Sequence, residues 1–131
     1  MWPSTYLPDM RVADGFGLPP NLRALHRTLR QRGFTHLAEE IKQARRRDPA
    51  YALPEAAVNA WGYSLVEQGQ LSAALEVFKL NVRLYPASAN TYDSLAETHA
   101  ALGNKKLATQ HYARSLQLNP QSRTAAAYLK Q

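Results

Sequence analysis

AWGYSLVEQGQLSAALEVFKLNVRLYP, residues 60–86, and NTYDSLAETHAALGNKKLATQHYARSLQLNP, residues 90–120, are one pattern written twice. Gly69 and Gly103 stand 34 residues apart. The pairs Pro86/Pro120, Ala74/Ala108, Phe78/Tyr112, Trp61/Leu95 and Gly62/Ala96 keep the same offset. A constant period of this length marks stacked units, each too small to bury its apolar face alone. Within each copy the spacing predicts a helix, a turn at the glycine and a second helix. Glycine takes positive φ at a turn without a Cβ clash, and proline stops the second helix. Ser88 and Ser122 follow the prolines, where each is expected to cap the next helix. Small residues at 62, 74, 96 and 108 allow close helix approach, and Trp61, Phe78, Leu95 and Tyr112 fill the space that remains.

Val58, Trp61, Gly62, Leu65, Gly69, Ala74, Phe78 and Pro86 occupy the signature sites of the first copy. Tyr92, Leu95, Ala96, His99, Gly103, Ala108, Tyr112 and Pro120 occupy those of the second. With these residues the chain resembles the tetratricopeptide repeat, whose signature is aromatic, Leu-Gly, Tyr, Ala, aromatic and Pro within one period. Four positions depart from it: Val58 replaces an aromatic, His99 replaces Tyr, and Asn81 and Ser115 stand where Ala is usual. The resemblance implies an all-α fold, a right-handed α-α superhelix of antiparallel helix pairs, with about seven helices.

The flanks extend the pattern. Residues 55–88 form the first repeat and 89–121 the second. Upstream, residues 20–49 read as a degenerate helical hairpin, with a turn at Gly33 and a stop at Pro49, one residue closer than in the clear repeats. Downstream, residues 122–131 begin a third repeat and read as a single closing helix, a common cover for the last face of a repeat array. Residues 1–19 hold three prolines and two glycines and read as loop or partly disordered chain.

The stretch 90–104 also holds Asp93, Ser94, Glu97 and His99, the side-chain types of a nucleophilic hydrolase. A helical wheel separates them. With about 100° per residue, His99 lies more than about 100° from the other three and falls in the stripe of Tyr92, Leu95 and Ala96. It is expected to pack. Asn90, Asp93, Glu97 and Ala100 share the opposite stripe, with Ser94 at its border. The resemblance places these positions on a concave groove, with Ala56, Asn59, Tyr63 and Val66 in the preceding repeat and Thr124 and Ala127 in the closing helix. The groove residues are thus Asn59, Tyr63, Val66, Asn90, Asp93, Glu97 and Thr124, a polar, aromatic and mildly acidic set suited to a peptide or protein segment. Related repeats that clamp a chaperone's C-terminal carboxylate need Lys or Arg here. Here those sites read Asn59, Tyr63, Asp93 and Glu97, and a groove so lined would repel such a ligand.

No catalytic, cofactor or metal motif is present. The chain has no Gly-x-Ser-x-Gly, Ser-x-x-Lys, Walker loop or Gly-x-Gly-x-x-Gly, and no histidine has metal-ligand spacing. There is no cysteine, which removes disulfides and thiolate chemistry and suits a reducing compartment. MWPSTYLPDM lacks the basic and apolar regions of a secretory leader, and no apolar run is long enough to span a membrane. A soluble, cytoplasmic, non-enzymatic binding module is therefore expected. The net charge of +6 is carried chiefly by the N-terminal part, where residues 1–49 hold nine Lys/Arg against five Asp/Glu. Arg23, Arg27, Arg30, Arg45, Arg46 and Arg47 form a candidate basic patch. It supports a minor alternative, nucleic-acid binding, although no module signature accompanies it.

NVRLYPASANTYDSLAETHAALGNKKLA, residues 81–108, is also similar to the C-terminal repeat tail of some bacterial serine hydrolases of esterase and β-lactamase-like type. That likeness implies a second reading, a structural or dimerising appendage that partners a hydrolase domain or a second copy of itself. A periplasmic location would follow if the parent hydrolase is exported. It carries no catalytic residue over to this chain.

Overall fold

In a computed structural model, residues 17–131 are described. The loop expected over 1–19 lies outside the described residues except for 17–19. Among the described residues the chain is all-α, with seven helices and no strand. The first pair is α1 (Pro20–Arg32) and α2 (Leu37–Arg47), joined through Gly33 and a 3-10 turn at Phe34–His36. Then come α3 (Glu55–Glu67) with α4 (Leu71–Leu84) and α5 (Ala89–Ala101) with α6 (Lys105–Leu118), and the short α7 (Arg123–Leu129) packs on α6.

The hairpin turns follow from the two glycines. Gly69 and Gly103 have φ of 76° and 84°. Gln70 N–H donates to Leu65 O and Gly69 N–H to Val66 O, both at 2.9 Å. Asn104 N–H to His99 O (2.8 Å) and Gly103 N–H to Ala100 O (3.0 Å) repeat the pattern 34 residues later. Each pair is a Schellman closure, which satisfies the carbonyls that a helix end leaves bare. α4 and α6 stop at Leu84 and Leu118, two residues before Pro86 and Pro120. That fits a residue that cannot continue a helix.

The two positions where Ala is usual are explained by one contact. Asn81 Nδ2 donates to Glu55 O, and Ser115 Oγ donates to Ala89 O, each at 3.2 Å. Donor and acceptor are 26 residues apart in both cases, so the second helix of each pair ties down the start of the first. Both side chains are buried, where an unpaired polar group would cost about 1–3 kcal/mol; the ties satisfy the Asn81 amide N–H and the Ser115 hydroxyl, while Asn81 Oδ1 has no partner.

The two serines expected as caps part company. Ser122 Oγ accepts from Ala125 N–H at 3.3 Å and caps α7. Ser88 makes no side-chain cap to α5; its hydroxyl points to Glu55 instead and donates to Oε2 at 2.7 Å. Ser122 caps with its lone pair while its hydroxyl lies 3.5 Å from Asp93 Oδ2, the two roles that one hydroxyl can fill together.

The core runs from α1 to α5. Leu22, Leu29, Leu37, Val58, Trp61, Val77 and Phe78 lie within it, with Leu95 at its far edge. Trp61 is fully buried, and its Nε1–H donates to His26 Nδ1 at 2.9 Å. Phe34 lies 6.0 Å from both rings, centroid to centroid. This three-ring contact docks the first hairpin on α3. On the other side Arg32 pairs with Glu40 between α1 and α2. Ala96, Tyr112 and Ala125 form a second, much smaller buried cluster.

Candidate protein-binding face

The stripe positions of α3, α5 and α7 remain open to solvent. Asn90, Glu97 and Thr124 are exposed, and Asn59, Tyr63, Val66 and Asp93 are half-buried. Two cross-links join α3 to α5. The Tyr63 hydroxyl donates to Glu97 Oε2 at 2.8 Å, and the Ser94 hydroxyl donates to Asn59 Oδ1 at 2.7 Å. Tyr63 and Glu97 are 34 residues apart, so equivalent positions of neighbouring repeats meet on this face. Ser94 does not border it as the wheel suggests. It is 3 % exposed, drawn inward by its bond to Asn59.

Electrostatics marks the face as negative. Asp93 Oδ2 is 3.5 Å from Ser122 Oγ, and Asp93 Oδ1 is buried without a hydrogen-bond partner. Burial pushes the Tyr63 phenol up to about 12, and the Glu97 carboxylate adds to the rise. Burial also raises Tyr112, followed by the charges of Glu97 and Asp93. The Tyr112 ring packs at 4.5 Å against Tyr128, one turn on from Thr124 in α7. Tyr128 and Ser122 complete the α7 side, and neither was legible as part of the set, because their place depends on how α7 docks.

His99 lies on the other side of α5. It is 3 % exposed and stacks on His111 of α6, with centroids 5.4 Å apart and planes within 8°. His111 stacks in turn on Tyr92 at 6.2 Å, and the Arg114 guanidinium lies 5.9 Å from that ring's centroid. His99 Nδ1 is 3.3 Å from Asn104 Nδ2. The Ser94 hydroxyl and the His99 ring therefore engage different partners. Among the described residues no three His, Asp or Glu side chains gather as a metal-ligand set.

Of the six arginines, Arg30 and Arg47 border different clefts. Arg23 reaches Leu18 O at 3.2 Å. Arg30 borders a cleft of about 440 Å³ with Phe34, Leu65 and Glu76. Arg47 lies beside Ala24 and Thr28, on the opposite flank of α1. Arg27, Arg45 and Arg46 are exposed. Burial raises the Tyr51 phenol, against the opposing charges of Arg45 and Arg47. Among the described residues no helix is long and apolar enough to cross a membrane.

No family model and no curated protein matches the chain. Its class therefore rests on the repeat pattern and the geometry above.

Proposed function

We propose that the chain is a non-catalytic protein-binding module of tetratricopeptide type. Its helix pairs stack in a right-handed superhelix, and the α3–α5–α7 face is the inner surface that holds a peptide or protein segment. The Tyr63–Glu97 contact carries this reading. It joins equivalent positions of successive repeats on a face that is open, polar and aromatic, while the opposite stripe of each helix is packed. Repeated Schellman turns and the Asn81 and Ser115 ties support the repeat assignment. A peptide-array screen of wild type against Tyr63→Ala with Asp93→Lys tests it. The array hits are expected to disappear in the double variant. Hits that persist unchanged would place binding elsewhere.

A further inference from the structure

A carboxylate that is partly withdrawn from water needs hydrogen-bond donors or a cation. On the α3–α5–α7 face two carboxylates have a single neutral hydroxyl each and no cation, Ser122 Oγ lying 3.5 Å from Asp93 Oδ2. Asp93 Oδ1 is buried with no hydrogen-bond partner. Glu97 receives only the neutral Tyr63 hydroxyl, on one of its two oxygens. Among the described residues no Lys or Arg pairs with either acid, although the chain carries sixteen of them and ten acids. The seven positions of the face include no basic residue. The negative field is felt by the neighbouring phenols, since burial and then these carboxylates raise Tyr112, and Glu97 adds to the effect of burial on Tyr63.

Resting on the binding face proposed above, we infer that its occupant is a cationic peptide segment, with a Lys or Arg head group seated between Asp93 and Glu97. Three features define this chemistry. Two acids one helical turn apart match the donors of a guanidinium or ammonium group. The half-buried Tyr63 and Tyr128 offer ring surface to the aliphatic stem and to the charge itself. A bare divalent ion is a poor fit, because two carboxylates and a phenol fall short of the six to eight oxygens that calcium takes. Acidic peptides and nucleic acids meet repulsion.

Labelled peptides of about twelve residues test this by fluorescence anisotropy against the full chain. Lys/Arg, Gln/Ser or Asp/Glu fill alternate positions of an otherwise constant sequence. The cationic peptide is expected to bind about tenfold or more tighter than the neutral one, an advantage that shrinks with added salt. The isosteric pair Asp93→Asn with Glu97→Gln should remove that advantage. Glu97→Lys, at an exposed position, should shift preference to the acidic peptide. Equal binding of neutral and cationic peptides, lost in Tyr63→Ala, overturns the cationic inference and leaves the face as the binding site. Binding of any peptide that ignores Tyr63→Ala, Asp93→Asn and Glu97→Gln overturns both readings, as does no binding by all three. Self-association in light scattering that the cationic peptide displaces would make a second copy the occupant and overturn the separate partner.

Discussion

The two clear hairpins share a period but not a core. In α3–α4, the positions that face the hairpin interior carry Trp61, Leu65, Val77 and Phe78, all essentially inaccessible and part of the large cluster. Their equivalents in α5–α6 are Leu95, His99, His111 and Tyr112. Only Leu95 belongs to the large cluster, and Tyr112 belongs to the small one with Ala96 and Ala125. Where the first hairpin has Leu65 and Val77, the second stacks two imidazoles. The same backbone plan is thus held by apolar packing in one unit and by polar ring contacts in the other. The difference also has a direction: the first hairpin is sandwiched between neighbours on both sides, whereas the second meets only a seven-residue helix at its far side.

The largest expected effect follows from that asymmetry. Phe78→Ala should cost about 3–5 kcal/mol, since it removes a fully buried ring from the dense part of the core. Tyr112→Ala should cost less, because its surroundings are thinner and can relax. Urea unfolding monitored by circular dichroism gives both values, and equal losses would break the comparison.

Gly62 and Ala96 sharpen it further. A Cβ on Gly62 would run into the Phe78 ring, so Gly62→Ala should destabilise by about 1–3 kcal/mol despite a better helix propensity. At Ala96 the facing ring is Tyr112, and the native residue already carries the methyl. Ala96→Gly should cost about 1 kcal/mol, mainly from propensity. Combining Gly62→Ala with Phe78→Leu should recover part of the loss. No recovery would mean that the clash is not what the glycine avoids.

These pairs also show what a sequence reading reaches. The helices and turns were legible because Gly69, Gly103, Pro86 and Pro120 act through their own backbones, and a period of 34 places them twice. The open stripe was legible because a wheel needs only the residue angle. Partners across helices were not. Ser88 looks like a cap until Glu55, 33 residues earlier, takes its hydroxyl. Ser94 looks like a border residue until Asn59 draws it in. The paired substitution of Leu65 and Val77 by His99 and His111 was a usable signal, since both changes fall at the same offset on facing helices.

The imidazole pair gives the second hairpin a pH dependence that the first lacks. Burial holds His99 below its ordinary pKa, and the charges of His111 and Lys79 act in the same direction. Burial lowers His111 as well. In the unfolded chain both titrate near about 6.5. Above that pH both states are neutral and the pair contributes no pH dependence. Below it the unfolded chain binds protons first, so stability falls with pH until the folded values are passed. Replacing the pair by its first-hairpin equivalents, His99→Leu with His111→Val, should flatten the unfolding midpoint between about pH 7 and 5. An unchanged slope would assign the acid sensitivity to other groups.

The smallest effect is expected where the two hairpins touch. The Tyr63–Glu97 bond has a charged acceptor, and such bonds reach about 1.5–3 kcal/mol when protected. Here it is exposed, so solvent and salt screen it and an exposed pair contributes about 1 kcal/mol or less. Tyr63→Phe should therefore leave the unfolding midpoint nearly unchanged. The phenol itself is the more sensitive reporter. Its pKa, pushed up to about 12 by burial and then by Glu97, should fall in Glu97→Gln, which removes the charge but keeps an acceptor. Absorbance titration of the wild type and this variant measures the shift. A phenol unmoved by the loss of Glu97 would mean that the carboxylate does not face Tyr63 in solution. The Ser94–Asn59 bond would then be the one remaining cross-link between α3 and α5 described on this face, beside the apolar core.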